Sequence, residues 1–203
     1  MRLCMPGVRL LVPSALVVVL VAGCGSDSSS SSAIVATGTI TCGDITGTVS
    51  FSPPLTATGT SAERASISLT ATGCTIGGGS NASHVGNGKI NSSLSVPSNA
   101  CGNLLNPQPI SVDVAWTPAS IHPSSIKVSG YSIGASPSGG GGFTLPNNGG
   151  TTQVAGSFAG SDRGASSTAA IYSDEGAGQL VAACGSAAGL ASITVSSGHL
   201  ALQ

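Results

Sequence analysis

Six cysteines, three histidines and seven carboxylates are the side chains of this 203-residue chain best able to do chemistry, and their spacing decides what that chemistry could be. His84, His122 and His199 stand far apart. None has a second histidine four residues on or a C-x-x-C beside it, as a zinc site would require. They are expected to be exposed surface histidines, and no metal ligand is assigned. Gly130-Tyr131-Ser132-Ile133-Gly134 matches the G-x-S-x-G pattern of a hydrolase nucleophile elbow. That motif works only where a tight strand-to-helix turn lifts the serine above a sheet. Here a glycine-rich loop, Ser136-Pro137-Ser138-Gly139 to Gly142, follows instead, and a chain with 30 Gly and 35 Ser contains such a match by chance. Asp174 and Glu175 form one adjacent carboxylate pair, which suits the first turn of a helix better than glycoside hydrolysis. Asp113 falls on the polar face of a strand. No catalytic residue and no cofactor are assigned, and the chain is read as a non-enzyme.

The elements that would carry these residues are strands. In Ala65-Ser66-Ile67-Ser68-Leu69-Thr70-Ala71 the odd positions are apolar and the even ones polar. Ile110, Val112, Val114 and Trp116 alternate in the same way, which puts the single tryptophan in the core rather than on a ligand platform. Shorter alternations run through Ile45, Val49 and Phe51, through Ile90, Leu94 and Val96, through Val154 and Phe158, and through Ile193, Val195, Leu200 and Leu202. Ile126 and Val128 change face before Tyr131 and Ile133, with Gly130 as the expected bulge. One helix is predicted over 174–183, capped by Ser173 and ended near Gly185. The predicted fold is all-β: an antiparallel β-sandwich, Ig-like or related, of nine to ten strands.

Composition narrows the partners. Charged residues are 6% of the chain, against about 25% in typical soluble domains. From Cys24 onward Arg64, Lys89, Lys127 and Arg163 face seven Asp and Glu, a formal charge of −3. No basic patch is present to neutralise phosphates, which excludes nucleic acid as a partner. The Gly, Ser and Pro content would suit disorder, but disorder also needs low hydrophobicity and high net charge. The mean hydropathy of +0.37 and the ordered alternation predict a folded domain instead.

The first residues read as an export signal. Arg2 and Arg9 precede Leu10 to Ala22, an apolar run interrupted only by Pro13 and Ser14. It is too short for the roughly 20 residues of a membrane-spanning helix and has the length of a signal-peptide core. Val21-Ala22-Gly23-Cys24 then resembles the lipobox of bacterial lipoproteins, in which a small residue precedes an obligatory cysteine. The resemblance implies cleavage after Gly23 and diacylation of the Cys24 sulfur. It implies an address on the outer face of the plasma membrane, or on the outer membrane of a diderm cell. The expected organisation is a signal peptide over 1–23, a lipidated Ser-rich tether over 24–33 and one β-sandwich domain over 34–203. In composition the domain is also similar to envelope lipoproteins rich in Gly, Ser and Thr.

With Cys4 in the signal and Cys24 taken by lipid, Cys42, Cys74, Cys101 and Cys184 remain. An even number in an oxidising compartment predicts two disulfides, with three possible connectivities. If 34–42, 45–52 and 64–73 form a meander, Cys42 and Cys74 finish at one end of the sheet. Cys42–Cys74 and Cys101–Cys184 is therefore the preferred pairing.

Two functions follow from this pattern. One is a lipid-anchored envelope module, binding or structural, whose ligand or protein partner the sequence does not name. The other is a carrier of an apolar ligand between the sheets, which would need an apolar cavity of roughly 300 Å³ or more. A serine hydrolase using Ser132 would need a histidine beside it.

Overall fold

A computed structural model of the chain describes residues 32–203 apart from Pro107, Ser138 and Asn147. The signal segment, the lipobox and Cys24 lie outside the described residues. Eleven strands and two short helices follow one another among the described residues. They are β1 (Thr39–Leu55), β2 (Glu63–Gly77), β3 (Asn87–Val96), α1 (Gly102–Leu105), β4 (Ile110–Thr117), β5 (Ser124–Val128), β6 (Ser132–Ala135), β7 (Gly141–Leu145), β8 (Thr152–Gly156), β9 (Thr168–Tyr172), α2 (Ala177–Gly185), β10 (Leu190–Val195) and β11 (Ser197–Leu202).

Every strand pairing is antiparallel, as the alternation predicted. The expected two sheets are instead one continuous sheet, in the order β6-β7-β9-β11-β1-β2-β3-β4-β5-β8 with β10 also on β1. A sandwich-like interior forms because side chains from both halves of this sheet, β2 to β5 on one side and β7, β9 and β11 on the other, line the same space. The segments 34–42 and 45–52, expected as separate strands, are not separate. Thr39 to Leu55 is one strand, paired with β2 from Thr39↔Gly77 to Ser52↔Arg64. β10 and β11 lie in series along its other edge, with Val195 opposite Gly47 and Leu200 opposite Cys42. No turn interrupts β1, because Gly43 and Gly47 are accommodated within the strand.

Three further expectations change. Ser129 to Tyr131 is no bulge: it carries the chain from β5, beside β8, to β6 at the far edge of the sheet. Phe158 lies beyond the end of β8, at a φ of 57°, so it does not continue the strand of Val154. The helix starts later than predicted. Ser173 accepts the Glu175 N–H in a local turn, at 3.1 Å. The N-cap is Gly176, whose own N–H donates to Gln179 Oε1 at 2.8 Å.

One end of the strands is packed shut. Trp116 is 3% exposed, and the fully buried Phe158 meets it edge to face at 5.4 Å. Such aromatic pairs contribute about 0.5–1.5 kcal/mol beyond their buried area. The Trp116 Nε1–H donates to Ser124 Oγ at 2.8 Å, Ser124 Oγ–H donates to the Ser157 carbonyl at 2.6 Å, and Ser157 Oγ accepts the Ala36 N–H at 3.0 Å. These buried hydroxyls satisfy polar groups that would be costly unpaired, and they fasten the entering chain to this end. Gly88 faces Trp116 across β3 and β4, and a Cβ there would lie 2.8 Å from the indole, so only glycine lets the ring lie flat on the strand.

The two disulfides are Cys42–Cys74 and Cys101–Cys184. Cys42 and Cys74 are direct register partners on β1 and β2, rather than ends of a three-strand meander. Cys101 precedes α1 and Cys184 lies in α2, so the second bond ties the two helices together. Such bonds belong to an oxidising, extracytoplasmic compartment. No helix among the described residues is long and apolar enough to cross a membrane.

Candidate binding cavity

The sequence-predicted chemical residues do not converge. Ser132 sits inside the short strand β6, its Oγ accepting the Asn148 N–H at 3.4 Å, and β6 leads into β7 rather than a helix. The elbow geometry is therefore missing. His122 Nδ1 lies 2.9 Å from the Pro123 carbonyl, and the His199 ring is tilted against Tyr172 at 6.4 Å. Asp113 is exposed on the outer face of β4, and Asp174 accepts the Ser196 hydroxyl at 2.7 Å. Among the described residues no three His, Cys, Asp or Glu side chains are grouped as a metal site would need.

What the strands do position is an apolar space. Side chains on one face of a strand alternate with those on the other, so the inward row of β2 is Glu63, Ala65, Ile67, Leu69 and Ala71. On β3 the row is Gly88, Ile90, Ser92, Leu94 and Val96; on β4 it is Ile110, Val112, Val114 and Trp116. Among the apolar members of each row burial changes in the same direction, Glu63 at the far end of β2 being buried as well. Leu69, Ala71, Ile90, Val114 and Trp116, toward the packed end, are buried. Ala65, Ile67, Leu94, Val96, Ile110 and Val112, toward the other end, are only half-buried although they face inward. Across the interior, Val49, Phe143, Leu145 and Ile171 are half-buried in the same way.

The half-buried side chains, together with Leu69, Ile90 and Val114, line a cavity of about 170 Å³. Its volume falls short of the roughly 300 Å³ that the carrier reading requires, so a carrier of lipid-sized ligands is not supported. It is comparable to an engineered apolar cavity of about 150 Å³ that stays dry and admits benzene. The space therefore suits one unbranched chain or a small ring. Each methylene moved into it from water contributes about 0.8 kcal/mol.

The less buried end has a lid of its own. Phe51, Leu55, Leu180, Cys184, Leu190 and Ile193 form a second apolar cluster, against which Cys101 and Leu104 pack. Asn103 and Leu104 of α1 reach the cavity wall, and the Tyr131 hydroxyl donates to the Leu104 carbonyl at 3.0 Å. Two polar groups break the apolar lining without partners. Glu63, 5% exposed, has Oε1 buried with no hydrogen bond, and so does Oγ1 of Thr152, 4% exposed, on the edge strand β8. Burial raises the Glu63 carboxyl above its ordinary value of 4.5. The Tyr131 hydroxyl is also raised, first by burial and then by the Glu63 charge beside it.

Glu63 was not singled out from the sequence, yet a signal was present. It stands two residues before Ala65, in phase with the apolar positions of β2, and so belongs to the inward face. The size of the gap between the sheet halves leaves no such signal. The chain matches no protein-family model, no curated protein and no solved structure.

Proposed function

We propose that this domain is a non-enzymatic binding module of the bacterial cell envelope, held there by lipid on Cys24, and that its interior takes up a slim apolar ligand. The observation that carries the ligand reading is the gradient along the inward rows of β2, β3 and β4. Aliphatic side chains on central strands keep accessible surface because nothing fills the space in front of them. A tightly packed sandwich would bury them, since protein interiors pack as densely as organic crystals. The low charge of the chain and the export signal agree with a module that works beside a membrane.

Benzene is the probe that fits a cavity of about 170 Å³. Titrated into the protein, it should shift the methyl resonances of Val49, Ile67, Leu94 and Val112, which line the cavity, and leave those of Ile40 and Val85, which do not, in place. Ile67→Phe should fill the space and abolish the shifts while the protein stays folded. Methyl resonances unmoved by benzene would rule out the cavity as a binding site.

A further inference from the structure

We propose that the ligand carries a positively charged head, an alkylammonium group, and that Glu63 is the residue that selects it. The inference rests on the apolar-cavity reading and adds the polar end of the ligand to it. Glu63 lines the cavity, is 95% removed from solvent, and presents Oε1 with no donor in reach. An ionised carboxylate can only accept hydrogen bonds, so something else must supply the donors.

The cations among the described residues do not. Arg64, the next residue, points to the opposite face of β2, where its Nε–H donates to Ser93 Oγ at 2.7 Å. Lys89 and Lys127 lie at exposed, outward positions of β3 and β5. Arg163 lies on the exposed loop after β8. The polar neighbour identified electrostatically is Tyr131, and its hydroxyl proton is already committed to the Leu104 carbonyl.

Burying a carboxylate without a partner is costly, and a retained one calls for an explanation. An ammonium with a short alkyl chain resolves both halves of the site. One of its three N–H donors meets Oε1 in a charge-assisted bond, stronger than a neutral donor would make. Its chain follows the inward row from Glu63 past Ala65 and Ile67 toward Leu69. A carboxylate ligand would instead set two like charges together, and an uncharged alcohol would offer a single weaker donor. Burial raises the Glu63 carboxyl, and a cation beside it would draw it back toward the ionised form.

The test compares ligands of one length: hexylammonium, 1-hexanol and hexanoate, with benzene as the headless probe. Affinities are measured at pH 7 by calorimetry on the wild-type protein and on Glu63→Gln. The expected order is hexylammonium, then hexanol, then hexanoate, with at least tenfold between the first and the last. Glu63→Gln should weaken hexylammonium at least tenfold more than it weakens benzene. The wild-type ligand series decides the matter even if the variant folds poorly. Equal affinity for hexylammonium and hexanoate, with benzene bound, overturns the role of Glu63 and leaves the cavity standing. Failure of benzene and all three amphiphiles to bind overturns the cavity reading and this inference with it.

Discussion

Glu63 shows how one residue can be both legible and missed. Its face follows from the period-2 pattern of β2, but a lone carboxylate at the start of a strand looks like a solvated end. Asn103 and Leu104 of α1 and Tyr131 of the β5–β6 connection line the same space as Glu63, contacts that the strand pattern does not announce. The consequence for stability has a definite sign. The folded state holds the Glu63 proton above the ordinary value of 4.5, so it binds protons more tightly than the unfolded chain. The stability this contributes is full below about pH 4.5 and is lost as pH rises through the raised value. Urea unfolding from pH 4 to 8 should therefore show wild type losing stability relative to Glu63→Gln as pH rises. The variant should be at least as stable at neutral pH. A difference between the two that does not vary with pH would contradict the burial of this carboxyl. Trp116 is the opposite case: its phase with Ile110, Val112 and Val114 placed it in the core, and there it is, held by Ser124.

At the scale of elements, strands were easier to read than their junctions. Alternation identifies a strand, but a glycine inside it reads as a turn, so Gly43 divided what is a single β1. The α2 boundary failed for a related reason. Ser173 is a good cap by residue type, yet its hydroxyl is used on the Glu175 N–H, and an extended Gly176 begins the helix instead. The disulfides act on these elements unequally. Cys42 and Cys74 close a span of 32 residues between strands already paired along their length. Cys101 and Cys184 close one of 83 residues and join two short helices that share the second apolar cluster. Loop-closure entropy assigns about 3.5 kcal/mol to the first bond and about 4.5 kcal/mol to the second. Replacing Cys101 and Cys184 by serine should cost more in urea unfolding than replacing Cys42 and Cys74. It should also speed hydrogen exchange at Leu180 to Cys184, while β1 and β2 amides stay protected. Loss of protection in β1 and β2 to the same degree would mean that the helices are integral to the sheet's stability rather than a lid upon it.

For the molecule as a whole, the all-β antiparallel class was legible because nearly every strand has one apolar face and one face of Ser, Thr and Asn. The joining of all strands into one sheet was not, since pattern gives faces and not neighbours, and the order β7-β9-β11-β1 depends on contacts distant in the chain. That order has a functional corollary. The chain enters through Ile34, bridged to Ile121, and Ala36, held by Ser157, at the packed end with Trp116. Glu63 and the half-buried rows lie at the other end of the same strands. If Cys24 carries lipid, anchoring and ligand uptake are expected to be separable, since the described chain joins the domain at the end away from Glu63. Mass spectrometry of the mature N-terminus should find acyl mass on Cys24, and Cys24→Ala should leave the protein unprocessed or released from the membrane. The released protein should bind benzene with the wild-type affinity. An unmodified Cys24 in exported wild-type protein would sink the anchor. A released variant that no longer binds would show instead that the membrane forms part of the site.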